Sequence, residues 1–129
     1  MSDKPMKKED GKKLIIVVDD EQDIRESVKD VLLDEGFEVI VAKNGKDLLN
    51  KLETSKPNLI LLDILMPGLV TKEILEEIDK RKLKIPIIFL SVVRLSESNK
   101  NIIGNNVKDY IEKPFNNNDL IKRVKKVLG

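Results

Sequence analysis

Five apolar residues, Leu14-Ile15-Ile16-Val17-Val18, run without alternation into two carboxylates, Asp19 and Asp20. An unbroken, mostly β-branched run of this length predicts a strand covered on both faces, as in a parallel sheet packed between helices. Behind it, Ile24, Val28, Val31 and Leu32 recur at helical spacing, with Arg25, Glu26, Lys29 and Asp30 on the opposite face. Asp23 stands where it can cap this helix and Gly36 where it can end it. Glu38–Ala42 reads as a second strand, Asn44-Gly45 as a turn, and Leu48, Leu49 and Leu52 as the apolar face of a short second helix.

Pro57 breaks that helix, and Asn58–Leu62 predicts a third buried strand that ends at Asp63. Met66-Pro67-Gly68 is a turn, and Ile74, Leu75 and Ile78 mark a third helix that fades into the charged run Lys80–Lys84. Ile85–Leu90 is a fourth strand ending at Ser91, with Pro86 near its start, where a missing N–H does least harm. A helix over Ser96–Ile103 is expected, although the polar Ser96-Glu97-Ser98-Asn99 weakens the pattern. Val107–Glu112 is a short fifth strand, followed by Lys113-Pro114-Phe115. Asn118 or a neighbouring asparagine should cap the last helix, whose core face is Leu120, Ile121, Val124, Val127 and Leu128. Five strands alternating with five helices predict an α/β fold, a doubly wound parallel sheet with helices on both faces.

At 129 residues the chain suits one domain, with Met1–Lys13 as a flexible polar tail and residues 14–129 as the folded unit. No apolar run is long enough to span a bilayer and the tail lacks the apolar stretch of a signal peptide, so no membrane contact and a cytoplasmic location are expected. The chain has no cysteine and no histidine, which removes disulfides, thiolate chemistry, zinc–sulfur sites and a histidine base. A formal net charge of +1 and few aromatic residues argue against direct nucleic-acid binding.

Asp19, Asp20, Asp63, Ser91 and Lys113 each stand just beyond a predicted strand. In an open α/β sheet the carboxyl ends of the strands form the rim where ligands bind. A single aspartate after a strand is most simply a cap or turn residue. Two in succession, a third after another buried strand, then a hydroxyl and a lysine, point instead to one acidic site. Two unit charges ~4 Å apart at an effective dielectric of about 20 repel by about 4 kcal/mol. Lys113 can offset one charge, and the rest call for raised pKa values or a bound cation. Oxygen ligands without nitrogen or sulfur favour a hard ion such as Mg²⁺, which suits phosphoryl transfer.

At these residues the chain resembles the receiver domain of two-component response regulators. The matching segments are Val17–Glu21, Leu61–Gly68, Ile87–Ser91 and Tyr110–Phe115, and the resemblance runs from about Leu14 to Leu128. It implies a flavodoxin-like sheet of order 2-1-3-4-5. It implies that Asp63 is the phosphoacceptor, supplied by a histidine kinase, a phosphotransfer protein or a small donor such as acetyl phosphate. Asp20 and Asp63 would hold Mg²⁺ directly, Asp19 would act through water, and the Leu65 carbonyl would complete the protein ligands. Lys113, joined to Pro114 by a cis peptide bond, would pair with the phosphoryl group, and the Ser91 hydroxyl would hydrogen-bond to it. Ser91 and Tyr110 would form the switch, with Tyr110 rotating inward from an exposed position. The face made by the fourth helix, fifth strand and fifth helix would then change for a downstream protein or a dimer partner. The domain would be no enzyme beyond its own phosphorylation and dephosphorylation.

Three places depart from the family pattern. Val70-Thr71 stands where the family usually has Asp-Gly, Asn105-Asn106 replaces a pair of small residues, and Val92 follows Ser91 where a small residue is common. Leu65 and Val93 are apolar where many relatives are polar, which predicts a long-lived aspartyl phosphate because apolar neighbours orient an attacking water poorly. Two alternatives stand beside the switch: a degenerate receiver that only binds partners, and a Mg²⁺-dependent phosphohydrolase using Asp63 as nucleophile. A nucleotide site is disfavoured because no glycine-rich loop follows the first strand.

Overall fold

The computed structural model describes residues 12–64, 71–91 and 106–129. Five parallel strands form one sheet: β1 (Leu14–Val18), β2 (Glu38–Ala42), β3 (Leu59–Asp63), β4 (Ile87–Ser91) and β5 (Val107–Glu112), in the order β2-β1-β3-β4-β5. The helices are α1 (Gln22–Asp34), α2 (Gly45–Lys51), α3 (Thr71–Lys80) and α4 (Asn117–Leu128). The helix expected over Ser96–Ile103 lies outside the described residues, as do the turn Met66-Pro67-Gly68, Leu65, Val70, Val92, Val93 and Asn105.

Alternation along the buried strands divides the core in two. Ile16, Val18, Ile60, Leu62, Ile87 and Phe89 face Leu48 of α2 and Ile74 and Ile78 of α3. Ile15, Val17, Leu59, Leu61, Ile88 and Leu90 face Val28 and Leu32 of α1 and Leu120 and Val124 of α4. The unalternating runs follow from this: β1, β3 and β4 are covered from both sides, so every second residue has no reason to be polar. The strand order places β1 and β3 side by side at the centre, and their carboxyl ends carry Asp19 and Asp63.

Several boundaries differ from the sequence expectation. β3 begins at Leu59, not Asn58; Asn58 instead clasps β1, its N–H donating to the Leu14 carbonyl at 2.7 Å and its Oδ1 accepting from the Leu14 N–H at 2.8 Å. β4 spans Ile87–Ser91, so Ile85 and Pro86 precede it and Ser91 is its last residue. Lys13, assigned to the tail, already joins the sheet, because its carbonyl accepts from Glu38 N–H at 2.9 Å.

Asp23 does not cap α1. The N-cap is Glu21, without a side-chain cap bond, and Asp23 sits inside the first turn, where its charge complements the helix dipole. At α4 the cap is Asn116, whose Oδ1 accepts from the Asp119 N–H at 3.0 Å. Gly36 follows the end of α1 with φ of 91°, as expected, whereas after α3, which ends at Lys80, the left-handed conformation is taken by Lys82 with φ of 61°.

Candidate functional site

β1 delivers Asp19 to the rim fully buried, and each of its polar atoms has a partner. Its N–H donates to the Ala42 carbonyl at 3.2 Å, which extends the β1–β2 ladder by one bond. Its carbonyl accepts from Arg25 Nη1 at 2.8 Å. Oδ1 accepts from the Glu21 N–H at 3.0 Å, so Asp19 braces the entry to α1 that Asp23 was expected to cap. Oδ2 lies 2.6 Å from Lys113 Nζ. Asp20, the next residue, is exposed.

Asp63 ends β3 and is 4 % exposed. The following N–H, of Ile64, donates to the Leu90 carbonyl at 3.3 Å, which continues the β3–β4 ladder just past the carboxylate. Carboxylate oxygens of Asp19, Asp20 and Asp63 all lie within 4.8 Å of one another. Residues 44 positions apart in sequence thus converge because β1 and β3 are neighbours in register, Val18 opposite Leu62.

Lys113 arrives from the far side of the sheet. Its N–H donates to the Ser91 carbonyl at 2.7 Å, tying the end of β5 to the end of β4, and the Lys113–Pro114 peptide is cis. From there Nζ reaches Asp19 at 2.6 Å and Asp63 Oδ2 at 3.4 Å. Burial by itself favours the neutral amine, but the hydrogen bond and charge of Asp19, with Asp63 behind them, outweigh it and raise the Lys113 pKa above its ordinary value. Lys113 therefore stays a cation beside the two buried carboxylates.

Ser91 is fully buried at the end of β4, on the same rim. Tyr110 lies in β5, half-buried against the α2/α3 side of the core, with its hydroxyl buried. The exposed resting position expected for Tyr110 is therefore not the one adopted here. Its backbone is held at both ends: the N–H donates to Asp109 Oδ1 at 2.8 Å, and the carbonyl accepts from Arg123 Nη1 at 3.3 Å. Leu65, the expected carbonyl ligand, lies outside the described residues.

Sequence reading missed two polar side chains at this site. Arg25 was assigned to the solvent face of α1, yet it is half-buried and folds back onto the Asp19 carbonyl. Thr71 was noted only as a departure from a family pattern, yet it is buried, and its hydroxyl donates to the Ile64 carbonyl at 3.2 Å. An arginine six positions after a rim aspartate was the available signal for the first.

The chain is similar in sequence and fold to known proteins. The family model described as response regulator receiver domain matches residues 15–125. Response regulator RR06 of Streptococcus pneumoniae is 36% identical over 114 residues, 88% of this chain and 52% of that protein. The alkaline phosphatase synthesis transcriptional regulatory protein PhoP of Bacillus subtilis is 36% identical over 118 residues, 90% of this chain and 48% of that protein. The chain thus spans about half the length of these curated relatives. Among solved structures, a CheY-like receiver domain protein from Methanospirillum hungatei superposes with a TM-score of 0.83 at 34% identity, covering 92% of this chain and 94% of that one. TrrA from Thermotoga maritima, in complex with Mg²⁺–BeF, gives 0.76 at 38% identity, covering 89% and 98%.

Proposed function

Because the chain belongs to the response regulator receiver domain family, we propose that it is a switch set by transfer of a phosphoryl group to Asp63. The observation that carries this reading is the meeting of Asp19, Asp20 and Asp63 within 4.8 Å, with Lys113 bridging the two buried members.

The donor set fits Mg²⁺: oxygens only, in a chain with no histidine or cysteine, gathered within 4.8 Å of one another. Asp20 and Asp63 would hold it, with the Leu65 carbonyl as a third protein ligand. Both Asp19 oxygens already accept hydrogen bonds, so Asp19 would act through water. When bound, the ion offsets the negative charge of the carboxylates and of the incoming phosphoryl oxygens.

Asp63 acts as the nucleophile. One carboxylate oxygen attacks phosphorus in line while the bond to the donor, a kinase phosphohistidine or acetyl phosphate, breaks. Lys113 is raised in pKa and held as a cation, and its ammonium swings from Asp19 to a phosphoryl oxygen with little travel. Ser91 supplies a hydroxyl to another of those oxygens. Attack of water on the phosphorus breaks its bond to the Asp63 oxygen, releasing inorganic phosphate and the free carboxylate, and this self-dephosphorylation is slow because Leu65 and Val93 are apolar.

Readout follows from the charge change. The aspartyl phosphate draws Ser91 toward the rim, and the backbone bond between Ser91 and Lys113 couples that movement to β5 and Tyr110. Converting a 1:99 equilibrium into 99:1 takes about 5.5 kcal/mol of preference, within reach of a few charge-assisted hydrogen bonds. The altered face, which includes β5 and α4, is the surface for a downstream protein or a second receiver.

The test is intact-mass analysis after incubation with acetyl phosphate and Mg²⁺. The native chain gains one phosphoryl group, and Asp63→Asn gains none. Absence of the adduct on the native chain would leave the interaction-module reading, and an adduct that survives Asp63→Asn would move the acceptor elsewhere.

A further inference from the structure

Among the described residues, four polar side chains are buried: Asp19, Asp63, Ser91 and Thr71. Three belong to the acidic rim. The fourth stands at the start of α3, where the family pattern has a glycine, and its hydroxyl donates to the Ile64 carbonyl at 3.2 Å. Ile64 is the residue directly after Asp63, and its N–H is already bonded to the Leu90 carbonyl at 3.3 Å. The residue next to the phosphoacceptor is therefore gripped twice, by β4 on its amide and by α3 on its carbonyl.

We propose that Thr71 is a positioning residue for phosphoryl transfer, fixing the backbone beside Asp63 through its bond to the Ile64 carbonyl. A buried hydroxyl placed on a carbonyl is not needed to start a helix; serine, threonine and aspartate do that by accepting backbone N–H bonds, whereas here the hydroxyl donates. Nor does the apolar core call for it, since valine fills the same volume. What the bond does is set the direction in which the chain leaves Asp63, and with it the orientation of that carboxylate. Misplacing a reacting group by a fraction of an ångström slows transfer, because in-line attack tolerates little angular error. A glycine can satisfy a loop with unusual backbone angles but offers no such grip.

The inference rests on the reading of Asp63 as phosphoacceptor. Thr71→Val removes the hydroxyl and keeps the shape, Thr71→Ala serves if the valine packs poorly, and Thr71→Ser restores the donor. Three quantities are measured on each: the Mg²⁺ dissociation constant by calorimetry, the rate of adduct formation from acetyl phosphate at saturating Mg²⁺, and the melting temperature. The valine and alanine chains should form adduct about five- to tenfold more slowly than the native chain, with Mg²⁺ binding weakened by a smaller factor, and the serine chain should match the native one. A hydroxyl that only holds α3 in place would lower the melting temperature and leave the rate within about twofold, and that result overturns the proposal. If the native chain itself forms no adduct, the phosphoacceptor reading fails first; a native adduct with unchanged valine kinetics refutes the role of Thr71 alone.

Discussion

Lys113 brings one positive charge to three carboxylates and gives most of it to Asp19. Its pKa is raised in the fold, so the stability it contributes is complete below the ordinary lysine value of 10.5 and is lost as pH rises through the higher folded-state value. The native chain should therefore exceed Lys113→Met in stability by a constant margin through about pH 9, and the margin should shrink only above 10.5. Urea titrations of both chains across that range measure it; a margin that fades well below 10.5 contradicts the raised pKa. Breaking a buried pair this way leaves Asp19 charged without its partner, which costs about 3 kcal/mol or more near neutrality. Asp19, Asp20 and Asp63 were legible in the sequence because they follow apolar runs that read as buried strands, and Lys113 because it follows the short mixed strand Val107–Glu112. Arg25 and Thr71 were not, because periodicity assigns a polar residue to a face and says nothing about a side chain that turns back to a backbone carbonyl six or seven positions away.

At the scale of elements, the sheet was readable and the helix ends were less so. β1 and β3 are neighbours with both faces covered, and their unbroken, short apolar runs read as buried strands. The caps are decided by geometry that propensity does not see. Asn116, Asn117 and Asn118 have the same side chain, and only Asn116 has the extended backbone a cap requires, with φ of −90° and ψ of 135°. Its Oδ1 satisfies the Asp119 N–H, one of the free donors of the first turn of α4. Asn116→Ala should cost about 1 kcal/mol in a denaturant titration, whereas Asn118→Ala should cost less than about 0.5 kcal/mol. Equal losses at the two positions would mean that the cap is shared or displaced. The same logic explains α1: its entry is braced by Asp19 from the preceding strand, so Asp23 had no vacant cap to fill.

At the scale of the molecule, a site assembled from strand ends carries an electrostatic load that the rest of the fold must hold. Three carboxylates within 4.8 Å, two of them buried, repel one another, and Lys113 offsets one charge. The paired cores on either side of the sheet keep β1 and β3 in register against that repulsion. Function and stability therefore pull in opposite directions at Asp20, which is exposed and makes no contact to Lys113 among the described bonds. Without divalent ions, Asp20→Asn should melt at a higher temperature than the native chain, since it removes one repelling charge from the cluster. With Mg²⁺ at a hundred times its dissociation constant, the native chain should gain about 2.7 kcal/mol and overtake the variant, which gains little because a ligand has been lost. Melting curves of both chains with chelator and with a Mg²⁺ series measure the crossing. A variant that is less stable in chelator, or that gains as much from Mg²⁺ as the native chain does, would show that Asp20 is not a member of the metal-binding cluster.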